Sequence, residues 1–240
     1  MGILIPKIDK IDYKIYNMSM KRKLYHGSID IIEKPVYGIG NKHNDYGLGF
    51  YCTTIETLAR EWAGKAGRNS YVNMYSLRDD NLNILDLTKP PYNNVLYWVA
   101  LLLNNRELNE NIRTNYPREL EYIKKHYLLD ISNYDVIIGY RADDSYFEFP
   151  LSFVRSEITL ESLEEIFMAG DLGKQYVLMS QKAFNKIKFI SFYPINGKEK
   201  DNYYNKVNNA KAYYKSILEQ DRYSKKTKLR DLIYEKEDKD

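Results

Sequence analysis

The sequence predicts an α+β protein, on three observations. Short runs rich in aromatic and β-branched residues alternate in the manner of strands. Between them, apolar residues recur at steps of three and four, the spacing of amphipathic helices. The composition, 44% apolar over 240 residues, is ample for a buried core.

In chain order, residues 1–20 alternate Ile with Lys or Asp without a firm period and read as an N-terminal extension that adds an edge strand. Arg22 to Ser28 is the first firm strand. Residues 29–46 hold Pro35, Gly38, Gly40 and several Asn and Asp, which is loop chemistry, and a loop this long in a compact domain is commonly functional. Gly47 to Thr53 is a second strand. Thr53-Thr54-Ile55-Glu56 has the spacing of a capping box, and Leu58, Ala59, Trp62, Ala63 and Ala66 carry a helix to about Gly67.

Tyr71 to Leu77 and Asn83 to Leu87 read as strands. Pro90-Pro91 opens a helix with its core at Val95 to Leu103, too short for a membrane span. A helix over Pro117 to Tyr127, a buried strand over Tyr134 to Gly139 and a helix over Thr159 to Met168 follow. Lys174 to Met179 and Ile187 to Phe192 are the last core strands. The expected division is an extension at 1–20, a catalytic domain at 21–196, and a charged helical extension at 197–240. In that extension Tyr203, Val207, Ala210, Tyr214 and Ile217 form a seam that suits docking on the parent fold or on a neutralising partner protein.

Net charge is +3, and residues 198–240 hold 12 Lys and Arg against 9 Asp and Glu, so the whole excess lies there. That is too little, and too mixed in sign, to announce nucleic acid. Three histidines and one cysteine, Cys52, exclude a disulfide framework and offer no zinc spacing. No metal is expected. A reducing, cytoplasmic setting follows, and the apolar start Met1 to Ile5 is too short for a signal peptide or span. With 24 tyrosines, no single tyrosine is informative by itself.

Two stretches stand out together. Leu24-Tyr25-His26-Gly27-Ser28 is followed about 20 residues later by Tyr46-Gly47-Leu48-Gly49-Phe50-Tyr51 leading into a helix. A later strand opens with Gln175-Tyr176-Val177. In this order the pattern resembles the ADP-ribosyltransferase superfamily, on its diphtheria-toxin and poly(ADP-ribose) polymerase side, near a bacterial branch with a His-Tyr-Gln pattern. The resemblance implies a split, mostly antiparallel β-sheet core with flanking helices around a cleft for NAD as substrate.

It also implies roles. His26 would hydrogen-bond the adenosine ribose, and the Gly27 backbone would pair with the nicotinamide amide, with Ser28 adding a contact. Tyr51 would stack on the nicotinamide and Tyr46 would form the other side of the sandwich. Gln175 would take the place of the family glutamate, bonding a ribose hydroxyl. Gln cannot act as a base or stabilise an oxocarbenium by charge, which argues against polymer elongation. Gln181 is a competing glutamine six residues on. Beside the resemblance, Arg68 and Arg141 are candidates to meet the pyrophosphate by paired hydrogen bonds and read equally well as solvated. Asp143 with Asp144 are candidates to orient an acceptor or activate its nucleophile, although adjacent acids at a strand end also serve as helix caps. On local sequence alone a strand histidine beside glycine reads as structural, and His43 and His126 read as surface residues.

The expected activity is mono-ADP-ribosylation of a macromolecular acceptor, protein or nucleic acid, by a toxin or phage-defence type of protein that acts in the cytoplasm, its own or that of a target cell. Three readings compete: an NAD glycohydrolase, an inactive relative that binds NAD or a partner, and a nucleic-acid binder acting through the basic tail.

Overall fold

The computed structural model describes residues 21–66, 69–142, 146–168, 173–195 and 198–238. Strand β1 (Lys21–Ser28), the long loop and short β2 (Phe50–Cys52) lead into helix α1 (Glu56–Ala66), β3 (Tyr71–Arg78) and β4 (Ile84–Asp86). Helices α2 (Val95–Asn105), α3 (Glu110–Asn115) and α4 (Pro117–Tyr127) precede β5 (Val136–Tyr140). Then come α5 (Glu148–Val154), α6 (Leu160–Met168), β6 (Lys174–Leu178), α7 (Gln181–Phe184), β7 (Ile187–Pro194), α8 (Lys198–Asp221) and α9 (Leu229–Glu237). The chain is α+β, with two sheets and flanking helices.

One sheet has the order β1-β3-β7 and is antiparallel throughout. The other, β2-β6-β5-β4, is mixed, because β4 runs parallel to β5. The sheets pack on each other through Leu24, Tyr75 and Leu77 of one and Cys52, Val136, Tyr176 and Leu178 of the other. One isolated bridge joins their backbones, in which Tyr25 and Thr53 exchange both hydrogen bonds at 2.8 and 2.9 Å. Beyond that bridge they part.

Most long periodic segments fold where their pattern places them. The differences have local causes. Pro90-Pro91, joined by a cis bond, lies ahead of α2, and it is Asn94 whose side chain accepts from the Leu96 N–H to start that helix. Three short helices went unforeseen, the four-residue α7 among them. In α5 nearly every residue from Phe149 to Val154 is buried, so no amphipathic period exists to be seen; in α3 only Ile112 is buried, too little for a pattern. The expected edge strand in residues 1–20 lies outside the described residues.

The largest core cluster packs Trp98, Phe149, Phe153 and Phe167 between the second sheet and the helices. Ile217 of α8 and Leu229 and Ile233 of α9 belong to the same cluster. The Asp221 carboxylate accepts from the Thr159 N–H at 2.7 Å, just ahead of α6. The charged C-terminal extension is therefore packed onto the core, with its seam residues Ala210 and Ile217 buried.

Candidate functional site

Where the two sheets part, a cleft of about 590 Å³ opens, lined by residues from β1, the 29–49 loop, β2, α1, the end of α2, the segment after β5, and β6. Both ends of the loop are fixed. Fully buried Asn73 on β3 accepts from the Ile32 N–H at 2.9 Å and donates to the Asp30 carbonyl at 3.0 Å, and the Tyr75 hydroxyl donates to the Ile32 carbonyl at 2.6 Å. At the far end, Asn105 donates to the Asp45 carbonyl at 3.2 Å. Between these anchors Val36 and Ile39 are 55% and 69% exposed.

Strand geometry sets the first wall. Tyr25 spends its N–H and C=O on Thr53, so two residues on, the N–H and C=O of Gly27 project to the same side, away from β3. Continuing the ladder would set Gly27 opposite Tyr51. Instead, the Tyr51 carbonyl accepts from His26 Nδ1 at 2.6 Å, and the Gly27 amide and carbonyl are left facing the opening.

A carbonyl can only accept, so His26 carries its proton on Nδ1 and presents Nε2 as an acceptor. Burial lowers the imidazole pKa against the opposing pull of that hydrogen bond, which keeps the ring neutral. The ring lies 4.7 Å from that of Phe50. Gly27 has a second reason to be glycine: a Cβ there would stand 2.0 Å from the Ala59 carbonyl and 2.5 Å from the Ala63 nitrogen. Helix α1 lies directly on β1.

Tyr51 lines the cleft with its hydroxyl already engaged, donating to the Gly47 carbonyl at 2.7 Å and accepting from the Tyr46 N–H at 3.0 Å. Burial pushes its phenol well above the ordinary value, so it offers a ring and not a proton.

Asp45 is the hub of the floor. It is 3% exposed. One carboxylate oxygen accepts from Arg106 at two nitrogens, both at 2.8 Å. The other accepts from the Ala142 N–H at 2.9 Å and from Gln175 Nε2 at 3.0 Å. Burial raises its carboxyl, while Arg106, Ala142 and Gln175 favour the charged form. Arg106 also donates to the Ala142 carbonyl and sits 4.8 Å over the Phe147 ring. The opposite wall holds Arg141, over the Trp62 ring at 5.6 Å and 3.8 Å from Glu61. The Trp62 indole N–H is buried with no acceptor among the described residues.

Residues 22–189 match the model of a family described as "Protein of unknown function (DUF3990)". The chain belongs to that family. The matched span runs from β1 into β7 and takes in every cleft residue named above. No curated protein and no solved structure matches the chain.

Of the residues the sequence singles out, His26, Gly27, Tyr51, Gln175 and Arg141 line the cleft together. Ser28 does not: its hydroxyl donates to the Asp30 carbonyl at 2.5 Å and accepts from Asn73, fixing the loop. Tyr46 is not half of a stacking sandwich either. It is 1% exposed, its hydroxyl donates to the Tyr140 carbonyl at 2.7 Å, and a Cβ on Gly139 would stand 2.0 Å from it. Gln181 opens α7 and bonds Asn185 at an exposed position. His43 reaches Glu107 at 3.3 Å, and His126 stacks on Tyr122 at the surface. Arg68, Asp143 and Asp144 lie outside the described residues.

Sequence reasoning missed Asp45, Arg106 and Trp62. Trp62 sits at a helical apolar position and reads as core. Asp45 and Arg106 meet only because loop and helix end converge, and a pairing 61 residues apart leaves no local signal. Among the described residues no group of three or more His, Cys, Asp or Glu is placed to hold a metal ion, and no helix is long and apolar enough to cross a membrane.

Proposed function

We propose that the cleft binds NAD and that the protein transfers ADP-ribose from it to a macromolecular acceptor, with the split sheet as an ADP-ribosyltransferase-like fold. The observation that carries this reading is the convergence of His26, Gly27, Tyr51 and Gln175, from three strands of two sheets, on one opening. Each offers what the substrate requires. Gly27 presents an N–H and a C=O side by side, the complement of a carboxamide. The Tyr51 ring is held rigid by its own hydroxyl bonds, which suits stacking on the departing nicotinamide. His26 Nε2 accepts from a ribose hydroxyl.

The charged lining also favours a dinucleotide: Arg106 is balanced by Asp45, and Lys34 and Arg141 line the same cleft, with Arg141 3.8 Å from Glu61 behind it. Cations over a pyrophosphate act by charge and by paired hydrogen bonds. In the reaction, the bond between ribose C1′ and the nicotinamide nitrogen breaks, and its electron pair leaves with nicotinamide. The oxocarbenium-like carbon is then captured by the acceptor's nucleophile, whose proton passes to solvent. The enzyme's contribution is to hold the leaving ring and the ribose in place while charge develops.

The test supplies labelled NAD to the purified protein with and without a macromolecular lysate, following free nicotinamide and acid-precipitable ADP-ribose together. Nicotinamide release with label in the precipitate is expected. Release at full rate with no precipitated label would make water the acceptor and the protein a glycohydrolase. Absence of release under both conditions, from protein that melts cooperatively, would exclude both activities.

A further inference from the structure

We propose that Asp45 is a positioning residue that fixes the polarity of Gln175, so that the cleft meets its ligand with an uncharged acceptor, Gln175 Oε1. The proposal rests on the NAD reading for the identity of that ligand. A carboxylate has about four acceptor sites, and at Asp45 all four are taken: two by Arg106, one by the Ala142 N–H and one by Gln175 Nε2. Asp45 has no site left for a substrate hydroxyl or for a proton from an acceptor.

What remains to it is orientation. A primary amide beside a group that can only accept must turn its NH2 toward that group. Gln175 is 5% exposed and lines the cleft, so the flip of its amide is a matter of chemistry rather than of solvent. With Nε2 on Asp45, Oε1 is the atom offered to the cleft, where a ribose hydroxyl donates to it. Arg106 makes the arrangement durable, because it supplies the buried carboxylate with a counter-charge. The site thus holds its negative charge one residue behind the reacting surface, neutralised, and shows the substrate a dipole.

This polarity can be reversed and restored. In Asp45→Asn, Arg106 claims the amide oxygen, so the NH2 takes the place of the oxygen that faced both Gln175 and the Ala142 N–H. The Ala142 bond is lost, and Gln175 turns its oxygen inward and its own NH2 to the cleft. Turnover of NAD should fall on the order of 30-fold with little change in KM, as for one hydrogen bond made in the transition state. Gln175→Glu alone sets two carboxylates against each other and should also be poor. With Asp45→Asn and Gln175→Glu combined, the amide now on the loop donates to the carboxylate now on β6, and an oxygen again faces the cleft. Turnover should then return to within about threefold of wild type, a rescue that loss of fold cannot mimic.

A second readout needs no turnover. The chain has three glutamines, so selective 15N labelling gives three side-chain amides, and the one lost in Gln175→Glu is that of Gln175. Its NH2 should exchange slowly with solvent, with one proton shifted downfield by the carboxylate, and both signs should vanish in Asp45→Asn. If the amide exchanges as fast as those of Gln181 and Gln220 and does not respond to Asp45→Asn, the proposal is wrong, whatever the protein does with NAD. A protected, responsive amide without nicotinamide release would overturn the NAD reading and uphold the orientation. A protected amide with release but no rescue in the double variant would refute the catalytic part.

Discussion

Two regions of this molecule are buried to similar depth by different means. In the helical base, Trp98, Phe149, Phe153 and Phe167 are each at most 1% exposed and are held by packing, with the Trp98 indole satisfied on the Tyr140 carbonyl at 3.1 Å. At the split, Asp45, Arg141 and Gln175 are 3 to 7% exposed and held by directed polar bonds. Packing tolerates any neighbour of the right shape, whereas a buried polar network holds only if every donor finds its acceptor. The base therefore carries stability, and the split carries a fixed pattern of donors and acceptors.

Substitutions can break that contrast, and the largest effect is expected in the base. Phe167→Ala should lower stability by about 4 kcal/mol in urea titration, with NAD turnover per folded molecule unchanged. Asp45→Ala should come next, at roughly 3 kcal/mol, since it strands Arg106, the Ala142 N–H and the Gln175 amide at once. The same loss from a cleft residue should abolish turnover, which is where the two regions part. Gly27→Ala belongs to both regions: its Cβ would meet backbone atoms of α1, not a flexible side chain, and about 3 kcal/mol is expected, with weaker NAD binding because β1 shifts.

A smaller effect sharpens the comparison through pH. Burial lowers the His26 pKa against the pull of the Tyr51 carbonyl, so below the ordinary imidazole value of about 6.5 the unfolded chain binds a proton that the folded ring refuses. Stability from this group is complete above that pH and declines as pH falls through it. Melts of wild type and His26→Gln between pH 7.5 and 5 should show the variant with the shallower slope. The smallest effect is expected at Arg118, whose exposed pairing with Glu237 should be removable by Arg118→Ala without moving Tm.

The base and the split also differ in how far they could be read from sequence. Helix α4 falls at Pro117–Tyr127 and β3 at Tyr71–Arg78, as their periodicities predict, because amphipathic faces record burial directly. Helix α5 was illegible since it is buried all round. At the split, His26, Tyr51 and Gln175 were legible because each sits in a short strand motif of defined order. Asp45 was not, although it adjoins Tyr46, since its meaning depends on Arg106 and Gln175, far away in the chain. Tyr46 and Ser28 were misplaced for a related reason: neighbours in sequence on a loop or at a strand end point to different places in space.

The central claim is that the split, and not the base, performs chemistry on NAD. Nicotinamide release should be measured for wild type, Gln175→Ala and Phe167→Ala, each normalised to the folded fraction from its own melt. Wild type should release nicotinamide, Gln175→Ala should lose that release although its Tm falls less than that of Phe167→Ala, and Phe167→Ala should keep it despite the larger loss of stability. Equal release from Gln175→Ala and wild type, or no release from fully folded wild type, would contradict the claim.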